Sequence, residues 1–201
     1  MAKLVFDLDG VVITYKRSFA ETYSDEFGIG VGEIFEFFNK DYYECAVGRS
    51  NLRDRIKKYI SPWKWPGDVD SLIKYWFDAQ STIDYGLLSL IASARASGHE
   101  CYVASDQDAM RSDHVQKLFD LRGAFDGAFF SCEIGATKSE PAFFERVLNT
   151  LQCVPGEVFF WDDNPKNVEI AKQIGINSEV YRTYRDFELP FSKHFLGSGE
   201  A

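Results

Sequence analysis

Residues Lys3 to Thr14 read KLVFDLDGVVIT, an apolar run that carries two aspartates one residue apart, Asp7 and Asp9. Leu4, Val5 and Phe6 have the character of a short strand buried on both faces, and the run stops at Asp7. Along an extended backbone alternate side chains share a face, so Asp7 and Asp9 point together while Leu8 points away. Gly10 lets the chain turn tightly beside them. A pair of ionised carboxylates this close is unfavourable without a counter-charge. The stretch therefore predicts a buried strand that delivers acidic side chains to a site.

Downstream the periodicity changes twice. From Arg17 to about Gln80 it is helical, with expected helices at Phe19 to Phe27, Glu33 to Glu44, Asn51 to Ile60 and Asp70 to Gln80. Glycines and the segment SPWKWPGD from Ser61 to Asp68 punctuate them. After Tyr85, helices at Leu87 to Ala96, Met110 to Leu121, Pro141 to Leu151 and Pro165 to Ile174 alternate with strands at Glu100 to Ala104, Ala128 to Ser131, Val158 to Trp161 and Ser178 to Arg182. Such alternation with short connections implies parallel βαβ units. The expected fold is therefore α/β, a doubly wound parallel sheet with an inserted all-helical segment. Its expected domains are a core of residues 1–15 and 84–201 and a helical unit of residues 16–83, with linkers near Thr14 to Arg17 and Thr82 to Gly86. The closing GSGEA is expected to fray.

In an open parallel sheet, ligands bind outside the carboxyl ends of the strands. Asp7 and Asp9 follow the first strand, Ser105 and Asp106 the next, Lys138 comes shortly after the third, and Asp162 and Asp163 follow the fourth. Four carboxylates converging with no histidine or cysteine at these positions call for a hard cation, and Mg²⁺ is the ion suited to few carboxylates plus water and phosphate oxygens. Lys138, the Ser105 hydroxyl and the amides of Leu8, Asp9 and Asp106 add donors for a phosphoryl group.

The order DLDGV at 7 to 11, Ser105, Lys138 followed by EPAFF after one residue, and Asp162-Asp163-Asn164 resembles the haloacid dehalogenase superfamily of hydrolases. The likeness extends over the whole α/β core, and the helical insertion resembles that superfamily's small cap. It implies phosphoryl transfer in two steps. Asp7 would attack phosphorus, and Asp9 would protonate the leaving oxygen and then activate water. Lys138 and Ser105 would hold the phosphate. Mg²⁺ would contact the Asp7 carboxylate, the Asp9 main-chain carbonyl and Asp163, with Asp162 reached directly or through water. True dehalogenases of the superfamily lack the second aspartate, so Asp9 points to phosphatases. Asp106 stands where asparagine is common and Ser139 where proline is common, which bears on substrate preference. The expected function is a Mg²⁺-dependent phosphatase of a small phosphomonoester, a sugar phosphate being favoured. The alternatives are a phosphate-binding regulatory protein with little turnover and a sugar phosphomutase.

Composition narrows the partners. The 201 residues carry a formal charge of −9, from 31 acidic against 22 basic side chains, which disfavours nucleic acid and anionic membranes. A small-molecule substrate and a monomer or homodimer are expected. Cys45, Cys101, Cys132 and Cys153 form no C-x-x-C pair, and neither a secretory signal nor a spanning run is evident, so a cytoplasmic location is expected. A calcium loop is excluded, because with Asp7 and Asp9 at its third and fifth positions Lys16 falls where glutamate is required. His99, His114 and His194 have no partner pattern and read as structural or surface residues. The aromatics of the insertion read mainly as its core, and Arg49 as a solvated side chain in the loop GRSN.

Overall fold

The computed structural model describes residues 1–118 and 120–197; most of the GSGEA tail, from Ser198 on, and Phe119 within the expected Met110 to Leu121 helix, lie outside them. The chain opens with β1 (Lys3–Phe6), followed by β2 (Ile13–Thr14). Helices α1 (Phe19–Phe27), α2 (Val31–Phe37), α3 (Tyr43–Ala46), α4 (Leu52–Ile56) and α5 (Val69–Ala79) make the insertion. Then β3 (Thr82–Ile83) leads into α6 (Tyr85–Ala96), β4 (Glu100–Ser105), α7 (Ala109–Leu118), α8 (Leu121–Ala124) and β5 (Gly127–Phe130). The remainder is α9 (Ser131–Ile134), α10 (Pro141–Leu151), β6 (Val158–Asp162), α11 (Pro165–Gln173), β7 (Asn177–Val180) and α12 (Tyr184–Phe195).

Five strands form one parallel sheet in the order β5-β4-β1-β6-β7. β1 is central, with Phe6 opposite Val103 on one side and Trp161 on the other. Its side chains alternate as the pleat requires: Leu4 and Phe6 join a cluster with Leu87, Ile91, Phe187 and Phe191, whereas Val5 joins Phe143, Phe144 and Phe160 on the opposite face. Helices thus cover both faces, and the chain runs from β1 out to β5 before returning to β6 and β7 on the other side. That reversal at β1 opens a crevice at the carboxyl ends of β1, β4 and β6.

The expected elements are present, with four instructive differences. The helix expected over Glu33 to Glu44 is three pieces, because Phe38–Tyr42 forms a π-helical turn between α2 and α3. This wider turn carries Asp41 inward, where its carboxylate accepts from Lys58 at 2.6 Å and from Tyr59 at 2.5 Å. The helix expected from Met110 to Leu121 is broken at Asp120, which caps α8 by accepting from the Gly123 amide at 3.0 Å. β2 and β3 pair antiparallel through Ile13 with Ile83 and Thr14 with Thr82, a ladder too short to show a period in sequence. Finally, α12 buries Phe187, Phe191 and Phe195 along one face despite the internal Pro190, and these rings pack on Trp161.

The insertion has its own apolar cluster, including Phe19, Tyr23, Phe37, Trp63 and Trp76. Trp63 is 1% exposed, and the Tyr23 hydroxyl donates to its carbonyl at 2.9 Å. Several contacts seat this unit on the sheet's carboxyl edge. The Ser131 hydroxyl donates to the Ala46 carbonyl at 2.6 Å. Gly48, at φ +73°, lies so close that an added Cβ would stand 2.3 Å from the Cys132 carbonyl oxygen.

Candidate active site

Asp7 follows directly after β1 and is 5% exposed. Its Oδ1 accepts from the Leu8 amide at 2.6 Å and meets the Lys138 ammonium at 2.5 Å. Lys138 is 2% exposed and also reaches Asp162 Oδ2, at 2.6 Å. Asp162, at the end of β6, is fully buried; its Oδ1 accepts from the Asn164 amide at 2.8 Å, and Asn167 Nδ2 lies 3.2 and 3.1 Å from its two oxygens. Carboxylate oxygens of Asp7, Asp162 and Asp163 lie within 4.8 Å of one another.

Gly10 makes room for the third of these. It sits at φ +89°, and a Cβ there would fall 2.2 Å from Asp163 Oδ2. The exposed Asp163 carboxylate therefore folds back over the turn that follows Asp9.

The electrostatics describe a site short of positive charge. Burial pushes the Asp7 carboxyl well above the usual carboxylate range, Lys138 opposes that, and Asp162 and Asp163 add to it. Asp163, although solvent still reaches it, is raised as well, first by the partial desolvation of its carboxyl in the crevice and then by Asp162. Lys138 behaves oppositely: burial disfavours its charge, but Asp7, Asp162 and Asp106 around it more than offset this and hold it protonated. Three carboxylates against one ammonium leave room for a divalent cation, and the all-oxygen donors suit magnesium. Among the described residues Asp7 Oδ2 has no hydrogen-bond partner, and Asp163 is open to solvent. With Asp162 already saturated by Lys138, Asn164 and Asn167, Asp7 and Asp163 are the carboxylates that fit direct contact with the ion.

Asp9 takes a different place from the one its pairing with Asp7 suggests. Its carboxylate is outside the three-carboxylate cluster: Oδ2 accepts from Gln107 Nε2, and Oδ1 faces the Arg111 guanidinium at 3.3 Å. Three carboxylates thus cluster and that of Asp9 lies apart from them, which is compatible with the expected approach of Asp9 to the ion through its main-chain carbonyl. Ser105 is buried, and its hydroxyl accepts from Gln107 at 3.0 Å. The Asp106 carboxylate accepts from the Lys138 amide at 2.9 Å, so it steadies the lysine's loop.

Gln107, Arg111 and Asn167 were not singled out by sequence reasoning. Each contacts a site aspartate, yet none sits at a strand end or in a spaced acidic pattern. Their one common signal is a polar residue on the buried side of a helix's first turn or entry loop. Tyr15, on the first linker, is a further neighbour: burial and the nearby Asp9 and Asp163 push its phenol up to about 12. Arg49 is exposed, and among the described residues its ion-pair partner is Glu44, at 3.5 Å. His99 bridges the Ala2 amide and the Phe195 carbonyl, a structural role.

A cavity of about 640 Å³ lies between β7 and α12, away from these groups. Cavity size is the poorer guide here, because the convergence of buried charge at the sheet's carboxyl edge is what needs a chemical explanation. No helix among the described residues is long and apolar enough to cross a membrane.

A D-ribitol-5-phosphate phosphatase of Bacteroides thetaiotaomicron is 20% identical over 87% of this chain and 89% of its own. The bifunctional epoxide hydrolase 2 of Sus scrofa is 26% identical over 89% of this chain, which spans 36% of that relative's length. Among solved structures, a HAD family enzyme from Bacteroides thetaiotaomicron in complex with magnesium superposes with a TM-score of 0.81 at 21% identity, covering 95% of this chain and 98% of that one. The same enzyme in complex with magnesium and inorganic phosphate gives a TM-score of 0.77 at 22% identity, covering 90% and 94%. Residues 3–175 match the haloacid dehalogenase-like hydrolase family, so the chain belongs to that family and is a hydrolase.

Proposed function

We propose that this hydrolase is a Mg²⁺-dependent phosphatase of small phosphomonoesters, with residues 16–83 acting as a cap over the core of residues 1–15 and 84–201. The observation that carries the reading is the state of Asp7. One of its oxygens is pinned by the Leu8 amide and Lys138, the other has no hydrogen-bond partner among the described residues, and the surrounding charge is net negative. A fixed carboxylate with one unengaged oxygen is a nucleophile in waiting.

In this reading Asp7 Oδ2 attacks phosphorus, and the bond from phosphorus to the leaving oxygen breaks. Asp9 is the acid group placed to give a proton to that oxygen. Asp9 then takes a proton from water, whose oxygen attacks the aspartyl-phosphate. Inorganic phosphate leaves and the Asp7 carboxylate is restored. Lys138 and the Ser105 hydroxyl hold the phosphate oxygens, and Asp106 contributes through its backbone and through its support of Lys138. Asp7, Asp163 and the Asp9 carbonyl would hold magnesium, with Asp162 behind them, and the ion when bound neutralises charge on the phosphoryl oxygens.

The named activities of relatives, the D-ribitol-5-phosphate phosphatase and an enolase-phosphatase E1 of Bradyrhizobium that is 40% identical over 44% of this chain, support a small metabolite, and a sugar or polyol phosphate is the favoured class. Four free cysteines suit a reducing, cytoplasmic setting. The test is phosphate release from a panel of sugar, polyol and aryl phosphates with Mg²⁺. Turnover that vanishes on chelation supports the reading. Binding without turnover across the panel would favour a phosphate-binding regulator, and an isomeric sugar phosphate as product would favour a mutase.

A further inference from the structure

Arg111 is 2% exposed, and a buried guanidinium is tolerated only where its charge and donors are matched. Its Nη1 donates to the Phe77 carbonyl at 3.0 Å, its Nη2 donates to the Gln80 carbonyl, and the same Nη2 faces Asp9 Oδ1 at 3.3 Å. The guanidinium carbon also lies 5.2 Å from the centre of the Phe77 ring. Two of these partners are carbonyls at the end of α5, the last helix of the insertion, just before the return linker. The terminal carbonyls of a helix lack intrahelical donors and carry partial negative charge. α5 has no basic residue in its own last turn, so the compensating cation arrives from α7 of the core.

The third partner is a carboxylate of the site. Asp9 is held at both oxygens, Oδ2 by Gln107 and Oδ1 by Arg111, which fixes the plane of the group. We infer that Arg111 is a positioning residue that ties the Asp9 carboxylate to the end of α5, so that Asp9 is aimed for proton transfer only while the return linker is seated as it is here. The inference rests on the phosphatase reading and adds the residue that couples the insertion's seating to the acid–base group. Among the described residues the side-chain hydrogen bonds of Gln107 go to Asp9 and Ser105, both of the core, whereas Arg111 spans core and insertion.

The test compares two esters. Protonation of the leaving oxygen matters greatly for an alkyl phosphate and little for an aryl phosphate with a strongly acidic phenol. Arg111→Met is expected to lower kcat on a polyol phosphate about 10²-fold, and on the aryl ester less than about tenfold, with KM little changed. Arg111→Lys, which can serve some but not all of the acceptors, should recover part of the loss. In an Asp9→Asn background, Arg111→Met should cost less than about threefold on the polyol ester, because residues acting as one unit are not additive. Equal losses on both esters, an unchanged cost in the Asp9→Asn background, or no loss at all would overturn the inference while leaving a working phosphatase. A wild-type protein that hydrolyses neither ester would overturn both the inference and the phosphatase reading. Should Arg111→Met fail to fold by circular dichroism, Arg111→Lys carries the same comparison between esters and backgrounds.

Discussion

The carboxyl edge of the sheet and the interior of the helical insertion are both buried, yet they are built by opposite means. At the sheet edge Lys138, Asp162 and Asp7 are nearly inaccessible, and the lysine is held to both carboxylates by directed, charge-assisted contacts. In the insertion, the Phe37 ring meets Trp63 and Trp76 at centroid separations of 5.7 and 6.2 Å with perpendicular planes, and the polar cluster around Asp41 sits at the margin. One region depends on the identity of a few atoms, the other on the total volume and shape of many. The contrast teaches that chemistry and its enclosure are specified separately: a change in the first alters reactivity with the fold intact, and a change in the second acts through packing.

Lys138→Met is the change expected to do most. It leaves Asp7 and Asp162 facing each other without their shared cation, a loss of about 3–5 kcal/mol, and in the proposed mechanism it also takes away a phosphate ligand. Thermal melting should fall sharply and phosphate release should be undetectable; a variant of full activity would break the contrast at its sharpest point. Trp63→Ala removes a large ring from the insertion and is expected to cost about 3–5 kcal/mol through the cavity left behind. Chemical denaturation would measure it, and the fraction still folded should retain its turnover number. Gly10→Ala is intermediate, about 1–3 kcal/mol from a left-handed backbone and a displaced Asp163, and the apparent magnesium affinity read by calorimetry should weaken alongside it.

Acid has a smaller effect on the insertion. Hydrogen bonds from Lys58 and Tyr59 hold the Asp41 carboxyl below its ordinary range. A carboxyl depressed in the folded state stabilises above its unfolded value of about 4 and loses that stabilisation as pH falls through the folded value. Stability measured from pH 5 downward should therefore fall less steeply in Asp41→Asn than in the parent, and identical slopes would remove Asp41 from the account.

Much of this arrangement is readable in the sequence, because backbone direction decides it. Asp7, Ser105 and Asp162 end or directly follow strands whose apolar runs are evident, and a parallel sheet brings such ends together. What pattern could not reveal was reach. Gln107 and Arg111 lie 98 and 102 residues from Asp9 along the chain, and only the folded crevice shows that they hold it. α12 is ambiguous in sequence, because Pro190 argues against a helix while Phe187, Phe191 and Phe195 recur at the spacing of one helical face. The π turn at Phe38–Tyr42 leaves no compositional mark; it becomes intelligible only when Asp41 is seen meeting Lys58 and Tyr42 meeting Asp108 at 3.2 Å.

The central claim is that an unengaged oxygen of Asp7 captures phosphorus. Acid quenching during turnover of an aryl phosphate with Mg²⁺, followed by peptide mapping, tests it most directly. The account predicts one phosphoryl group on Asp7, absent after chelation and absent in Asp7→Asn together with all turnover. Sustained hydrolysis by a pure Asp7→Asn protein, or a phosphoryl group trapped on any other residue, would contradict it.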